Sequence, residues 1–243
     1  AASSAAPRTR PSHALHTRQP GRRTPQAQLG PDPARVPGAG QPAHVRAGLL
    51  GRPALAAGAG HTCALLANSQ VKCWGDGYVG QLGDGASLDA VNPVSVMDSR
   101  GPDGAPFEDV EAIAARRSHT CALKTGGTVW CWGDNQYSQM GLPESNVEQL
   151  TPRMVSQLDS VVAISAGGDT TCALLSDTSV KCWGSNGDGV LGIGTYRVTS
   201  SETPENVWRS ETDNRALNNV VAISVGDNHT CILDASRHAS CWG

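Results

Sequence analysis

Four times in 243 residues the chain carries two cysteines ten apart, with Trp-Gly after the second. The copies are HTCALLANSQVKCWG from His61, HTCALKTGGTVWCWG from His119, TTCALLSDTSVKCWG from Thr170 and HTCILDASRHASCWG from His229. Their first cysteines, at 63, 121, 172 and 231, are separated by 58, 51 and 59 residues. Periods near 50 residues belong to propeller-type arrays. A unit of that kind cannot bury both of its faces alone and has to stack on its neighbours.

The rest of the unit recurs as well. An apolar stretch lies upstream of each later cysteine pair: VEAIAA (110–115), VVAISAG (161–167) and VVAISVG (220–226). A Pro-x-x-Val element lies further upstream, as PVSV at 93, PRMV at 152 and PENV at 204. Gly-rich loops follow the pairs: GDGYVGQLGDG, GDNQYSQMGL and GSNGDGVLGIG. Val, Ile, Leu, Thr, Cys and Trp fill the runs, and Gly, Asn, Asp and Ser fill the breaks. Each unit therefore reads as three or four short strands without a helix. The repeat cores fall near 54–85, 108–142, 159–194 and 218–243, and together they define a repeat domain over 54–243.

Pairing Cys63 with Cys73 sets Leu65 opposite Val71 and leaves Ala67-Asn68-Ser69 as the turn. The second copy has Thr125-Gly126-Gly127 there, which suits a three-residue hairpin loop needing a left-handed residue. Directly opposed Cβ atoms on antiparallel strands lie about 4.5–5.5 Å apart, near the roughly 3.5–4.5 Å of a disulfide. The expected pairs are Cys63–Cys73, Cys121–Cys131, Cys172–Cys182 and Cys231–Cys241. Disulfides imply an oxidising, extracellular or lumenal setting. In a reducing cytoplasmic or nuclear setting the same cysteines serve as small buried strand residues. Zinc sites favour Cys-x(2–4)-Cys and redox centres Cys-x-x-Cys, and neither spacing occurs. His61, His119 and His229 sit two residues before a cysteine, on the same strand face, and are read as structural, bonding to backbone at a strand start. Trp74, Trp132, Trp183 and Trp242 are read as packing between units.

Residues 1–52 differ in kind. They carry eight Arg, no Lys and Asp32 as the only acid, a net of +7 from 8 − 1. The remainder has 11 basic against 21 acidic residues, a net of −10. The N-terminal stretch is rich in Pro, Ala and Gly without apolar periodicity, so it is expected to be disordered. The repeat region lacks the basic footprint of a nucleic-acid binder. The chain also lacks an apolar run of 18 residues, so no transmembrane helix is expected. The first residue is Ala, and the last copy stops before its Gly-rich loop, so a fragment of a longer chain is expected.

The combined unit, V-x-x-I-x-x-G-x-x-H-T-C-A-L followed by V-x-C-W-G-x-N-x-x-G-Q-L-G, resembles the repeat of the regulator of chromosome condensation family, in its cysteine-bearing variant. The resemblance covers about 54–243. It implies an all-β fold, a propeller of four-stranded blades that is seven-bladed in the family. About four of seven blades are present here, so an incomplete, open arc is expected. A ring of seven units would need roughly 360–410 residues, against the 190 of residues 54–243. Three departures stand out: Gly77 where later copies have Asn135 and Asn186, Ser138 where others have Gly80 and Gly189, and Arg116 where others have Gly58, Gly167 and Gly226. If the last position needs positive φ, Arg116 carries strain.

The sequence holds no nucleophile elbow, phosphate loop, dinucleotide Gly motif or HExxH. No cofactor, metal or catalytic residue is assigned. The reading is a non-enzymatic protein-binding scaffold stapled by disulfides within each blade. Specificity is expected in the loops 86–107 and 195–219, and self-association through the open terminal blades. The resemblance also implies an alternative: an intracellular exchange factor for a small GTPase, or a module beside a ubiquitin-ligase domain, with reduced cysteines. A catalytic domain elsewhere in a longer chain stays open.

Overall fold

Every repeat core forms an antiparallel sheet in the computed structural model, which describes residues 52–142, 148–195, 197–210 and 213–243. The expected disordered segment lies, apart from Arg52, outside these residues. All of them belong to one compact unit, Pro42–Gly243.

Blade 1 is β1 (Ala54–Ala57), β2 (His61–Leu65), β3 (Val71–Gly75) and β4 (Ala90–Ser95), hydrogen-bonded in that order. Blade 2 is β5 (Val110–Arg116), β6 (His119–Lys124), β7 (Thr128–Gly133) and β8 (Gln149–Met154). Blade 3 is β9 (Val161–Gly167), β10 (Thr170–Leu175), β11 (Val180–Ser185) and β12 (Ser200–Asn206). A small hairpin, β13 (Trp208–Ser210) and β14 (Asp213–Ala216), precedes blade 4, which has three strands: β15 (Val220–Val225), β16 (Thr230–Asp234) and β17 (Ala239–Trp242). A short 3₁₀ turn, Gly101–Asp103, lies between blades 1 and 2.

The hairpin register explains the ten-residue spacing. Cys63 pairs Cys73 across β2 and β3, and Ser69 turns the chain at φ 62°. In blade 2, Gly126 and Gly127 supply the positive φ that this loop needs. Cys121 faces Cys131, Cys172 faces Cys182 and Cys231 faces Cys241. All four pairs are bonded, with Cα atoms 4.1 Å apart.

The innermost strands pack in series, β1 on β5, β5 on β9 and β9 on β15. No comparable packing joins β15 back to β1, so the four blades form an open arc. The core lies between successive blades. Cys63, Leu65, Val71 and Leu82 of blade 1 meet Ala122 and Trp132 of blade 2, and Met140 and Val155 of blade 2 meet Trp183 of blade 3. Phe107 packs edge-on to Trp130 and Trp132, with the Lys124 ammonium 4.7 Å from its ring centre. The two segments expected to be specificity loops are therefore partly structural: 90–95 is a strand, Phe107 is core, and 195–219 contains β12, β13 and β14.

Arg116 does not adopt positive φ. The glycine preference at Gly58 and Gly226 is steric, since a Cβ at either would lie within 2.5 Å of the imidazole of His61 or His229. Arg116 reaches past blade 3 to Asp227 of blade 4, and Arg117 bonds Asp169 of blade 3, each at 2.8 Å. The Arg116–Asp227 pair is solvent-exposed and worth at most about 1 kcal/mol, whereas Arg117 is exposed and its partner Asp169 is mostly buried.

Candidate protein-interaction surface

The side chains that the repeat keeps constant meet at the seams between blades. At the first seam the Gln81 carbonyl accepts from the Trp132 indole at 3.0 Å and from the Thr120 hydroxyl at 3.1 Å. At the second, the Gln139 carbonyl accepts from Trp183 at 3.0 Å and Thr171 at 2.9 Å. At the third, the Val190 carbonyl accepts from Trp242 and Thr230, both at 2.9 Å. One carbonyl has two lone pairs, so a single loop oxygen can hold two donors from the next blade. The Gly-rich loops make room for this: a Cβ on Gly83, Gly141 or Gly192 would fall 2.6–2.9 Å from the indole nitrogen.

Behind this clamp sits a histidine. His61 Nε2 lies 2.8 Å from Thr120 Oγ1, and His119 Nε2 lies 3.1 Å from Thr171 Oγ1. Each threonine hydroxyl therefore stands between a loop carbonyl and an imidazole Nε2. Burial pushes the pKa of His61 down to about 4, against the opposing pull of the Asp76 carboxylate and the Arg117 backbone. Burial, helped by His61, pushes that of His119 down to about 3. The third seam has no histidine: Thr170 stands there and donates to the Ser185 carbonyl in its own blade. His229 is exposed and Trp74 half-buried, because both lie on the flanks of the arc.

The threonines of this clamp were not singled out in the sequence, although a signal was present. Thr62, Thr120, Thr171 and Thr230 precede the first cysteine in all four copies. Two departures also find their reasons. Asn135 Oδ1 accepts from the Met140 amide at 3.0 Å and Asn186 Oδ1 from the Leu191 amide at 3.1 Å, which brace their loops. Gly77 cannot be Asn, since a Cβ there would meet the Leu88 carbonyl oxygen at 2.0 Å. Ser138 adopts φ 62°, the conformation of Gly80 and Gly189, and so carries real backbone strain.

What remains on the surface is at the loop tips. Tyr78 is 77% exposed and Leu88 71%, and Tyr137, at the position of Tyr78 in the next blade, is 45% exposed. The Gly77 amide donates to Asp89 Oδ1 at 3.0 Å, drawing Tyr78 and Leu88 to one end of blade 1. Among the described residues no group of three or more His, Cys, Asp or Glu is placed to hold a metal ion. No helix of the described residues is long and apolar enough to cross a membrane.

Models of the regulator of chromosome condensation (RCC1) repeat match residues 126–174 and 179–233, and in a second form 54–81, 110–139 and 161–190. Human E3 ubiquitin-protein ligase HERC2 is 29% identical over 192 residues, 78% of this chain and 4% of that protein. The ultraviolet-B receptor UVR8 of Arabidopsis thaliana is 30% identical over 191 residues, 78% of this chain and 40% of that one. The crystal structure of human WBSCR16 superposes with a TM-score of 0.64 at 21% identity, over 78% of this chain and 47% of the other. Yeast RCC1 (Prp20), crystallised with Kap60, gives 0.57 at 22% identity, over 77% and 41%. The chain thus spans less than half the length of each of these proteins, and the two structures speak for the fold alone. With its family models covering well over half of the sequence and four blades in the matching register, the chain belongs to the regulator of chromosome condensation repeat family.

Proposed function

We propose that this chain is a non-enzymatic protein-binding scaffold whose blades are stapled by the four hairpin disulfides. The observation that carries the reading is the row of loop-tip side chains Tyr78, Leu88 and Tyr137. They are large, exposed and borne on braced loops. Aromatic and apolar side chains on rigid supports supply binding energy at low entropic cost. The seam residues, by contrast, are consumed by packing. The bonded cysteine pairs favour an extracellular or lumenal protein.

A second reading rests on the relatives named as ubiquitin-protein ligases. In it the chain is the propeller module of a larger cytoplasmic or nuclear ligase or GTPase regulator, with catalysis in another domain and the cysteines reduced. The two readings share the loop-tip surface and part on compartment.

The test is affinity capture from the native source, with quantification of each co-purifying protein, for the wild type and a Tyr78→Ser, Leu88→Ser, Tyr137→Ser variant. The scaffold reading expects the bound set to fall at least tenfold with the melting temperature unchanged. An identical bound set would remove this surface from the account.

A further inference from the structure

The loop tips of blades 1 and 2 are charged as well as aromatic. Residues 76–89 carry Asp76, Asp84 and Asp89 and no Lys or Arg. Residues 134–148 open on Asp134 and likewise hold no Lys or Arg. In the third loop Asp188 is balanced by Arg197. Among the described residues, none of Asp76, Asp84, Asp89 and Asp134 forms an ion pair. Arg116 and Arg117, in the turn before β6, are taken up by Asp227 and Asp169. Negative charge therefore stands uncompensated beside Tyr78, Leu88 and Tyr137.

Carboxylates and tyrosines are held at the same end of the strands. The Asp76 amide donates to the Gly60 carbonyl and the Asp134 amide to the Ser118 carbonyl, each at 2.9 Å. Asp76 Oδ1 accepts from the Tyr78 amide at 3.1 Å, and Asp134 Oδ1 from the Gln136 amide at 3.0 Å. The Val79 amide donates to Gln81 Oε1 at 2.9 Å, and the Tyr137 amide to Gln139 Oε1 at 2.8 Å. Each loop thus fixes one carboxylate and one tyrosine on a braced turn. A carboxylate has two oxygens, so a single backbone cap leaves each aspartate able to accept again. Both loops lie at seams inside the arc. Gly85 donates to the Leu150 carbonyl of blade 2 at 3.0 Å, and Gly141 lies against Trp183 of blade 3.

A guanidinium can pair with a carboxylate and stack on a tyrosine face at the same time. Nucleic acid and anionic membrane are repelled by the same carboxylates. We infer that these two loops, within the loop-tip surface proposed above and resting on that reading, seat an extended basic segment of a partner protein. One arginine of the segment lies between Asp76 and Tyr78, and a second between Asp134 and Tyr137. Leu88, on the first loop, adds apolar contact beside them. The choice of partner follows from charge complementarity: the loops that expose the tyrosines are the loops that carry acids without bases.

The experiment measures fluorescence anisotropy of fluorescein-labelled Gly-Ser dodecapeptides against the 243-residue chain. Each peptide carries two arginines at a graded separation, and glutamine and glutamate versions serve as counterparts. The arginine peptides are expected to bind, most tightly at one separation and more weakly as salt rises. The glutamine and glutamate peptides are expected not to bind. Asp76→Asn combined with Asp134→Asn keeps both Oδ1 caps, and is expected to weaken binding at least tenfold with the melting temperature unchanged. Tyr78→Ser combined with Tyr137→Ser leaves the charge as it is, and is expected to weaken binding at least fivefold. Asp159→Asn, exposed at the other end of the strands just before β9, is expected to change nothing. Failure of every arginine peptide to bind, equal binding of the glutamine peptides, indifference to the tyrosines, or an equal loss with Asp159→Asn would overturn the inference. If no arginine peptide binds while the Tyr78, Leu88, Tyr137 variant still loses its captured proteins, the inference falls and the scaffold reading stands. If the arginine peptides bind as expected while the captured set is unchanged, the inference stands and the scaffold reading falls.

Discussion

The indole Nε1 of Trp183 donates to the backbone carbonyl of Gln139 at 3.0 Å, across the seam between blades 2 and 3. The same tryptophan is fully buried against Met140 and Val155. Trp74 holds the same place in the hairpin of blade 1 but is only half-buried, and among the described residues no loop carbonyl receives it. Trp183→Ala is expected to cost about 3–5 kcal/mol. Trp183→Phe, which loses mainly the hydrogen bond, is expected to cost about 1–2 kcal/mol. Trp74→Phe is expected to cost under about 0.5 kcal/mol. Urea denaturation of the three variants checks the ranking.

Thr120 is the busiest polar group of the first seam. Its hydroxyl serves both the Gln81 carbonyl and His61 Nε2, in a site closed to water. Thr120→Val keeps the shape and strands the buried Nε2 of His61 without its partner, so it is expected to cost about 1–3 kcal/mol. Thr230→Val removes one of two donors to the Val190 carbonyl and leaves Trp242 in place, so it is expected to cost about half as much or less. Equal losses in denaturation would show that the histidine adds nothing to the clamp.

Both seam histidines have pKa values below that of an unfolded histidine, about 6.5. The unfolded chain therefore binds protons first as pH falls. The stability that the neutral rings support is fully present above about pH 6.5, and it declines through about 4 for His61 and about 3 for His119. Denaturation midpoints are expected to fall between pH 7 and pH 4. In His61→Gln the part due to that ring is expected to be missing. An NMR titration is expected to show His61 and His119 silent above pH 5.

How much of this was legible in the sequence follows from where each signal resides. The ten-residue cysteine spacing is local, and one hairpin with a three-residue loop satisfies it, so register and pairing could be worked out on paper. The stacking of blades followed from the period. The seam hydrogen bonds did not, because they join residues 32–52 apart through a backbone carbonyl, and a carbonyl has no side-chain letter: the accepting position is Gln in two copies, Gln81 and Gln139, and Val190 in the third. The invariant threonine was visible and went unread because Thr is an ordinary strand residue. The reach of Arg116 to Asp227 spans 111 positions and leaves no pattern at all.

The central claim is a repeat propeller held by hairpin disulfides and exposing its loops for a partner, and thiol chemistry on the native protein tests it most directly. Rapid alkylation of unreduced, unfolded protein from its own source, followed by mass spectrometry of its peptides, counts free cysteines. The account predicts none of the eight labelled, with the four pairs ten residues apart recovered as linked peptides. Each closed loop is expected to contribute about 2–3 kcal/mol, lost on reduction. Eight labelled thiols in a protein that keeps its fold and its partners would contradict the stapled scaffold and favour the ligase-associated module.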